Sequence, residues 1–327
     1  MEKTIGIVGG AGFLGTRLAN RLDKSGSDYA IYDIDQSNEA TIKLDVEDVS
    51  SLSELAGCDV LINLAAVHRD DVKPLTKYDD VNVTGAKNLC NAARKYAISK
   101  IVFTSSVAIY GFAKAGTDEN GAPNYFNDYG RTKYLAEQVY KAWYDEDPGK
   151  RMLFIVRPTV IFGEGNRGNV YNLLKQIATG RFVMFGGGKN IKSMAYVENV
   201  AAFLGYASKF ESGYHVYNYI DKPDFDMNYL VSKARSVLFG VNSVGLRLPA
   251  FLGSGIGVCA DLLAKCLGKS LPVSKIRVKK FMSTTQFDTS IKNLDFVPPV
   301  GIENGLERTL RYEFLENNQD KRTFVTE

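Results

Sequence analysis

Gly9-Gly10-Ala11-Gly12-Phe13-Leu14-Gly15 follows the apolar run Ile5-Gly6-Ile7-Val8 and leads into Thr16-Arg17-Leu18-Ala19-Asn20-Arg21-Leu22. In that order the residues predict a buried strand, a glycine turn and an amphipathic helix. The arrangement aims backbone N–H groups and the positive end of a helix dipole at one point, where a pyrophosphate can sit. Gly9 allows the tight turn, Gly12 close approach of phosphates, and Gly15 close packing of helix on strand. Phe13 and Leu14 lie between them at the helix start and count with them as cofactor-binding positions. A second strand candidate, Ala30-Ile31-Tyr32, ends in Asp33, about twenty residues past the glycines. A carboxylate there accepts hydrogen bonds from the ribose hydroxyls of NAD and repels the extra phosphate of NADP.

The same alternation continues through the first half: Arg17–Lys24, Val60–Leu64, Val83–Tyr96 and Lys100–Thr104 read in turn as helix, strand, helix and strand. It predicts an α/β fold, a Rossmann-type doubly wound parallel sheet with ligands at the carboxyl ends of its strands. After the second strand, Asp45 and Val46 are placed to flank an adenine ring. After Val60-Leu61-Ile62, Asn63-Leu64-Ala65-Ala66 offers small residues beside a cofactor. Either stretch reads equally well as a turn or a packing position.

Composition bounds the rest. The 327 residues suffice for a large core and two lobes, and a net charge of +3 gives no case for nucleic acid. Met1-Glu2-Lys3 runs directly into the first strand, which leaves no room for a signal peptide and predicts a cytoplasmic protein. Cys58, Cys90, Cys259 and Cys266 lack metal-ligand spacing and read as small apolar fillers. With only His68 and His215 in the chain, neither a histidine metal site nor a Ser-His-Asp triad is expected.

Two later blocks carry chemistry. Ile101-Val102-Phe103-Thr104-Ser105-Ser106 delivers hydroxyls at the end of a buried strand. Tyr129-Gly130-Arg131-Thr132-Lys133 opens a helical pattern whose four-residue spacing stacks Tyr129 and Lys133 on one face. A phenol of pKa ~10 is a poor base at neutral pH, and a neighbouring ammonium makes its anion accessible. Tyr129 then serves as both acid and base, with Ser106 beside it.

Together with Arg157-Pro158-Thr159-Val160-Ile161-Phe162-Gly163, these residues resemble the extended short-chain dehydrogenase/reductase family, the nucleotide-sugar epimerases and dehydratases. The resemblance implies that Ser106 orients the reacting hydroxyl, Tyr129 exchanges its proton, and Lys133 holds the nicotinamide ribose, with Pro158 also lining the NAD site. It implies an NAD-binding domain over 1–158 that receives a returning segment near 193–218, and a smaller, mostly C-terminal α+β substrate lobe over 159–192 and 219–327. Ser105, Arg167, Asn169 and Lys192 are candidate substrate contacts. Val107 and Ala108 replace the acidic pair of the family's dehydratases, which disfavours elimination of water. Val160 stands where many nucleotide-sugar members have Asn. A homodimer through the helices near Val83–Tyr96 and Tyr129–Tyr144 is expected by analogy.

From Leu248 to Ala260 the chain carries no charge, and Lys275, Arg277, Lys279 and Lys280 follow. The uncharged stretch that opens the segment 248–280 is too short and glycine-rich to span a bilayer. It suits the surface of an anionic membrane, the lobe's own core or a dimer contact. The blocks His68–Val72, Arg167–Gln176, Lys192–Val197, Tyr217–Tyr219 with Asp221–Asp224, and Val278–Phe281 with Thr284–Asp288 are more specific. They resemble the bacterial 4-epimerases that act on N-acetylglucosamine carried by undecaprenyl diphosphate and supply O-antigen assembly. That likeness implies NAD-dependent inversion at C4 of a lipid-linked sugar diphosphate, at the cytoplasmic face of the inner membrane. The alternatives are a soluble UDP-N-acetylglucosamine or UDP-glucose 4-epimerase, a 4-keto-sugar reductase and a non-catalytic NAD-binding regulator.

Overall fold

The computed structural model describes residues 4–69, 72–251, 283–318 and 320–326. Most of segment 248–280, including Ile256, Leu263, Cys259, Cys266 and the four basic residues, lies outside the described residues.

Seven parallel strands form the main sheet in the order β10-β6-β5-β4-β1-β2-β3. They are β1 (Ile5–Val8), β2 (Tyr29–Asp33), β3 (Thr41–Lys43), β4 (Val60–Asn63), β5 (Lys100–Thr104), β6 (Met152–Pro158) and β10 (Gly213–Tyr219). The side chains of β1, β4, β5 and β6 are buried on both faces, which is why these strands read as apolar runs. Along β5, Ile101 and Phe103 face one core and Val102 the other. The first core is covered by α3 (Gly85–Lys95) and α4 (Asp128–Asp145), through Leu89, Cys90, Tyr140 and Trp143. The second is covered by α1 (Phe13–Lys24) and α6 (Val197–Ala207), through Leu18, Leu22, Phe203 and Leu204. This is the expected doubly wound sheet.

The chain winds outward from β1 through β2 to β3, then crosses back to β4 and continues through β5 and β6 to β10. The winding reverses between β1 and β4, and a crevice at their carboxyl ends follows from the connectivity.

A smaller lobe adds a sheet of β11 (Asp221–Asp226), β9 (Ile191–Tyr196) and β7 (Val160–Phe162), and a two-stranded pair, β12 (Arg247–Leu248) with β8 (Met184–Phe185). Its core joins α5 (Asn169–Ala178), α7 (Met227–Phe239) and the helix Ile302–Phe314 through Leu174, Phe225, Leu230, Leu306 and Leu310. Phe13 at the start of α1 belongs to this core, so the glycine turn sits where the lobes meet. No described helix is long and apolar enough to cross a membrane.

The helix expected from Val83 begins earlier. It runs from α2 (Thr76–Tyr78) through a π-helical turn, Asp79–Thr84, into α3. The apolar periodicity breaks at that turn because a widened turn shifts which residues face inward.

Candidate active site

The glycine turn has the geometry a dinucleotide needs. Gly9 has φ +77°, and a Cβ there would stand 2.6 Å from the backbone N of Ala65, so β1 and the loop after β4 touch through bare backbone. A Cβ on Gly15 would meet the Cα of Gly10 at 2.5 Å, which fixes α1 tightly on the turn. At Gly12 the nearest obstacle is 3.3 Å away, the carbonyl of Gly9. Gly12 caps α1 without a side-chain hydrogen bond, and the first turn of the helix carries no acid. An uncapped, unopposed helix N-terminus beside a nearly clear approach fits a pyrophosphate.

At the end of β2, Asp33 accepts the N–H of Ala11 (2.9 Å) and that of Asp35 (3.0 Å), tying the ribose-side acid to the glycine turn. Asp45 caps its own turn, accepting from the N–H of Glu47. Val46 is buried, and a Cβ on Gly85 would collide with it, so its side chain serves packing against α3. Leu64, Ala65 and Ala66 lie at the switch point, with Ala65 N–H held by Asn63, whose amide also donates to the Tyr140 hydroxyl. Pro158 ends β6 in register with Tyr219.

Asn127 caps α4, accepting from the N–H of Gly130 at 3.0 Å. A Cβ on Gly130 would stand 2.5 Å from the carbonyl of Ala108, so only glycine lets α4 begin this close to the turn Val107–Tyr110. Ser106 caps that turn, its oxygen accepting from the N–H of Ala108. Tyr129 stands in the first turn of α4. Lys133, one turn on, is buried with its Nζ donating to the carbonyl of Thr104 (2.8 Å), 4.9 Å from the Phe103 ring centroid and 6.0 Å from that of Tyr129. Burial pushes the Lys133 pKa down to about 7, against the opposing pull of the Glu137 carboxylate.

Beneath these residues lies a buried network that sequence reading missed. Glu137 receives two hydrogen bonds from Arg157 (2.9 and 2.6 Å), and Arg157 also donates to the Tyr110 hydroxyl. The Ser105 hydroxyl donates to Glu137. Ser105, expected as a substrate contact, is buried here with its hydroxyl on this pair. The signal was available: Glu137 follows Lys133 by one helical turn, and Arg157 interrupts an apolar strand.

Asn82 was also missed. It sits buried on the π-turn, exchanging two hydrogen bonds with the backbone of Val67 and donating to the Thr132 hydroxyl at 2.9 Å. It thereby fastens the loop after β4 to the stretch of α4 between Tyr129 and Lys133.

The lobe contacts diverge from expectation in part. Arg167 pairs with the buried carboxylate of Glu313 at 2.6 Å and lies 4.2 Å from the Tyr171 ring centroid, so its charge is already matched. Asn169 is exposed at the first position of α5. Lys192 donates to the carbonyl of Ser283 (2.6 Å), and burial lowers its pKa to about 8. Among the described residues no cluster of His, Cys, Asp or Glu is placed to hold a metal, and Cys58 and Cys90 are buried thiols.

The glycine turn at the switch point and a helix bearing Tyr129 and Lys133 that begins against the turn capped by Ser106 form an arrangement suited to a dinucleotide-dependent enzyme. Residues 5–219 match the model of the NAD dependent epimerase/dehydratase family, and the chain belongs to that family, whose cofactor is NAD. It is 48% identical, over the full length of both chains, to N-acetyl-alpha-D-glucosaminyl-diphospho-ditrans,octacis-undecaprenol 4-epimerase of Escherichia coli O157:H7. The fold superposes on UDP-glucose 4-epimerase of Thermotoga maritima with UDP-glucose, with TM-score 0.74 and 21% identity over 96% of this chain and all of that one. It also superposes on MoeE5 in complex with UDP-glucose and NAD, with TM-score 0.73 and 20% identity over 94% and 98% of the two chains.

Proposed function

We propose that the protein inverts C4 of an N-acetylhexosamine diphosphate through a transient 4-keto sugar, and that its substrate is N-acetylglucosamine on undecaprenyl diphosphate. The observation that carries this reading is the full-length 48% identity to an epimerase of that substrate, in a chain with Ser106, Tyr129 and Lys133 together. Residues Gly9, Gly12, Phe13, Leu14, Gly15 and Asp33 would hold NAD, which when bound supplies the redox chemistry by taking up the C4 hydride and giving it back. Tyr129 accepts the proton of the C4 hydroxyl and returns it to the C4 oxygen once the keto sugar has turned to present its other face. Ser106 orients the sugar oxygen. Lys133 would donate to the nicotinamide ribose and favours the anionic form of Tyr129. Glu137, Arg157 and Asn82 keep the helix bearing Tyr129 and Lys133 in place. Of the two basic candidates for the diphosphate, Lys192 is the better, because Glu313 already neutralises Arg167.

A lipid carrier places the enzyme at a membrane surface. Leu246 and Phe251, on the described flank of the apolar segment, are 61% and 72% exposed, which suits that placement. Purified protein given UDP-N-acetylglucosamine and undecaprenyl diphosphate N-acetylglucosamine side by side, with no added dinucleotide, tests the assignment. Conversion of the lipid-linked sugar at a rate at least tenfold above the nucleotide sugar is expected. Equal or faster turnover of UDP-N-acetylglucosamine would make the protein a nucleotide-sugar epimerase.

A further inference from the structure

The segment 320–326 returns from the far end of the chain to the glycine turn. The Phe324 N–H donates to the carbonyl of Gly165 (2.8 Å) and its carbonyl accepts from the N–H of Arg167 (2.8 Å), so the segment pairs as a short strand with the loop 165–167. That loop is itself anchored, since Gly165 N–H and Arg167 both bind the buried carboxylate of Glu313. A Cβ on Gly168 would stand 2.5 Å from the Thr326 hydroxyl, and one on Gly165 would stand 3.2 Å from the Arg322 carbonyl. The bed on which the segment lies is thus shaped to its backbone. Thr326 also donates to the Asn166 side chain at 2.9 Å.

From this bed two side chains reach across to the dinucleotide fold. The Phe324 ring packs against Phe13 of the glycine turn, with centroids 5.7 Å apart. The Arg322 guanidinium, stacked 4.9 Å from the Phe324 ring centroid, pairs with Asp35 at 2.7 Å. Asp35 in turn donates its N–H to Asp33. The contacts therefore fall at the pyrophosphate end and the ribose end of the adenosine half of the site. They flank the path that half of a dinucleotide would take from the glycine turn to Asp33.

We propose that residues 322–326 form an outer strap of the NAD site and set how long the dinucleotide stays, with Arg322 and Asp35 as the latch and Phe324 as its apolar seat. The latch is of a kind that opens. Both partners are about half exposed, and such pairs contribute little to the stability of a fold. Phe324 and Phe13 shield the turn from water and supply the larger share of the contact. An enzyme that borrows and returns a hydride within one turnover needs its cofactor resident, and a strap slows escape without touching the reacting atoms. The inference rests on NAD as cofactor and leaves the identity of the sugar open.

The experiment loads the full-length protein with isotopically labelled NAD and chases with excess unlabelled NAD, counting bound label after timed gel filtration. No sugar is present, so its outcome is independent of the epimerase reading. Arg322→Glu and Phe324→Ala should each release the label roughly tenfold or more faster than the wild type. The charge-exchanged protein, Asp35→Arg with Arg322→Asp, should regain slow release. Arg322→Glu alters an exposed residue and should leave the melting temperature of the NAD-free protein within about 2 °C of the wild type, a readout that separates loss of the latch from loss of the fold. Wild-type release rates in both single variants would overturn the proposal. So would a charge-exchanged protein that releases as fast as Arg322→Glu alone.

Discussion

At the scale of single residues, Lys133 answers two opposed demands. Catalysis asks for an ammonium beside Tyr129, whereas burial under Phe103 and Thr104 pushes the Lys133 pKa down to about 7. A folded-state pKa below the unfolded value means that the unfolded chain binds more protons between about pH 7 and 10.4, so stability rises with pH across that window. Lys133→Met should remove this dependence in the NAD-free protein and raise its stability at pH 7 and below by roughly 3–5 kcal/mol. Denaturant melts between pH 6 and 9.5 measure it, and a wild-type slope in the variant would show that the lysine is not the source. Tyr129→Phe keeps the ring and loses only the hydroxyl. It should fold and bind NAD normally while kcat falls by about 10³ or more, and near-normal turnover would remove Tyr129 from the proton path.

At the scale of elements, the site depends on two helices being fastened to the ends of strands. Asn82 does this from a π-turn, with hydrogen bonds to Val67 and Thr132. Asn82→Leu strands the part-buried N–H and carbonyl of Val67, and should cost about 1–3 kcal/mol. Thermal denaturation reads the loss, and a change below about 0.5 kcal/mol would mean that water or a shifted backbone replaces those bonds. The elements themselves were largely legible in the sequence. β1, β4 and β5 announced themselves as apolar runs because both faces of a parallel sheet are buried, and the glycine turn lay between strand and helix as expected. The π-turn was not legible, since Asp79-Asp80-Val81-Asn82 breaks helical periodicity and reads as a loop. β3 was missed because its three residues carry no pattern of their own.

At the scale of the whole molecule, local motifs located the elements around the glycine turn and said little about contacts between the lobes. Asp33, Tyr129 and Lys133 lie within a turn or at a strand end, so their spacing encodes their placement. Arg167 read as a free basic residue because its partner, Glu313, lies far along the chain, and the contact of Phe324 with Phe13 bridges almost the full sequence. Such pairings are fixed by topology and carry no signal in spacing. An enzyme that acts as one closed redox unit returns the hydrogen it takes, and the fate of that hydrogen tests it. N-acetylglucosamine on undecaprenyl diphosphate, labelled with deuterium at C4, is converted by the purified protein with no dinucleotide added, and the product is examined by mass spectrometry and NMR. An epimerised sugar that keeps its deuterium at C4 is expected. Loss of the label to solvent, or conversion only when a reduced nicotinamide is supplied, would contradict it.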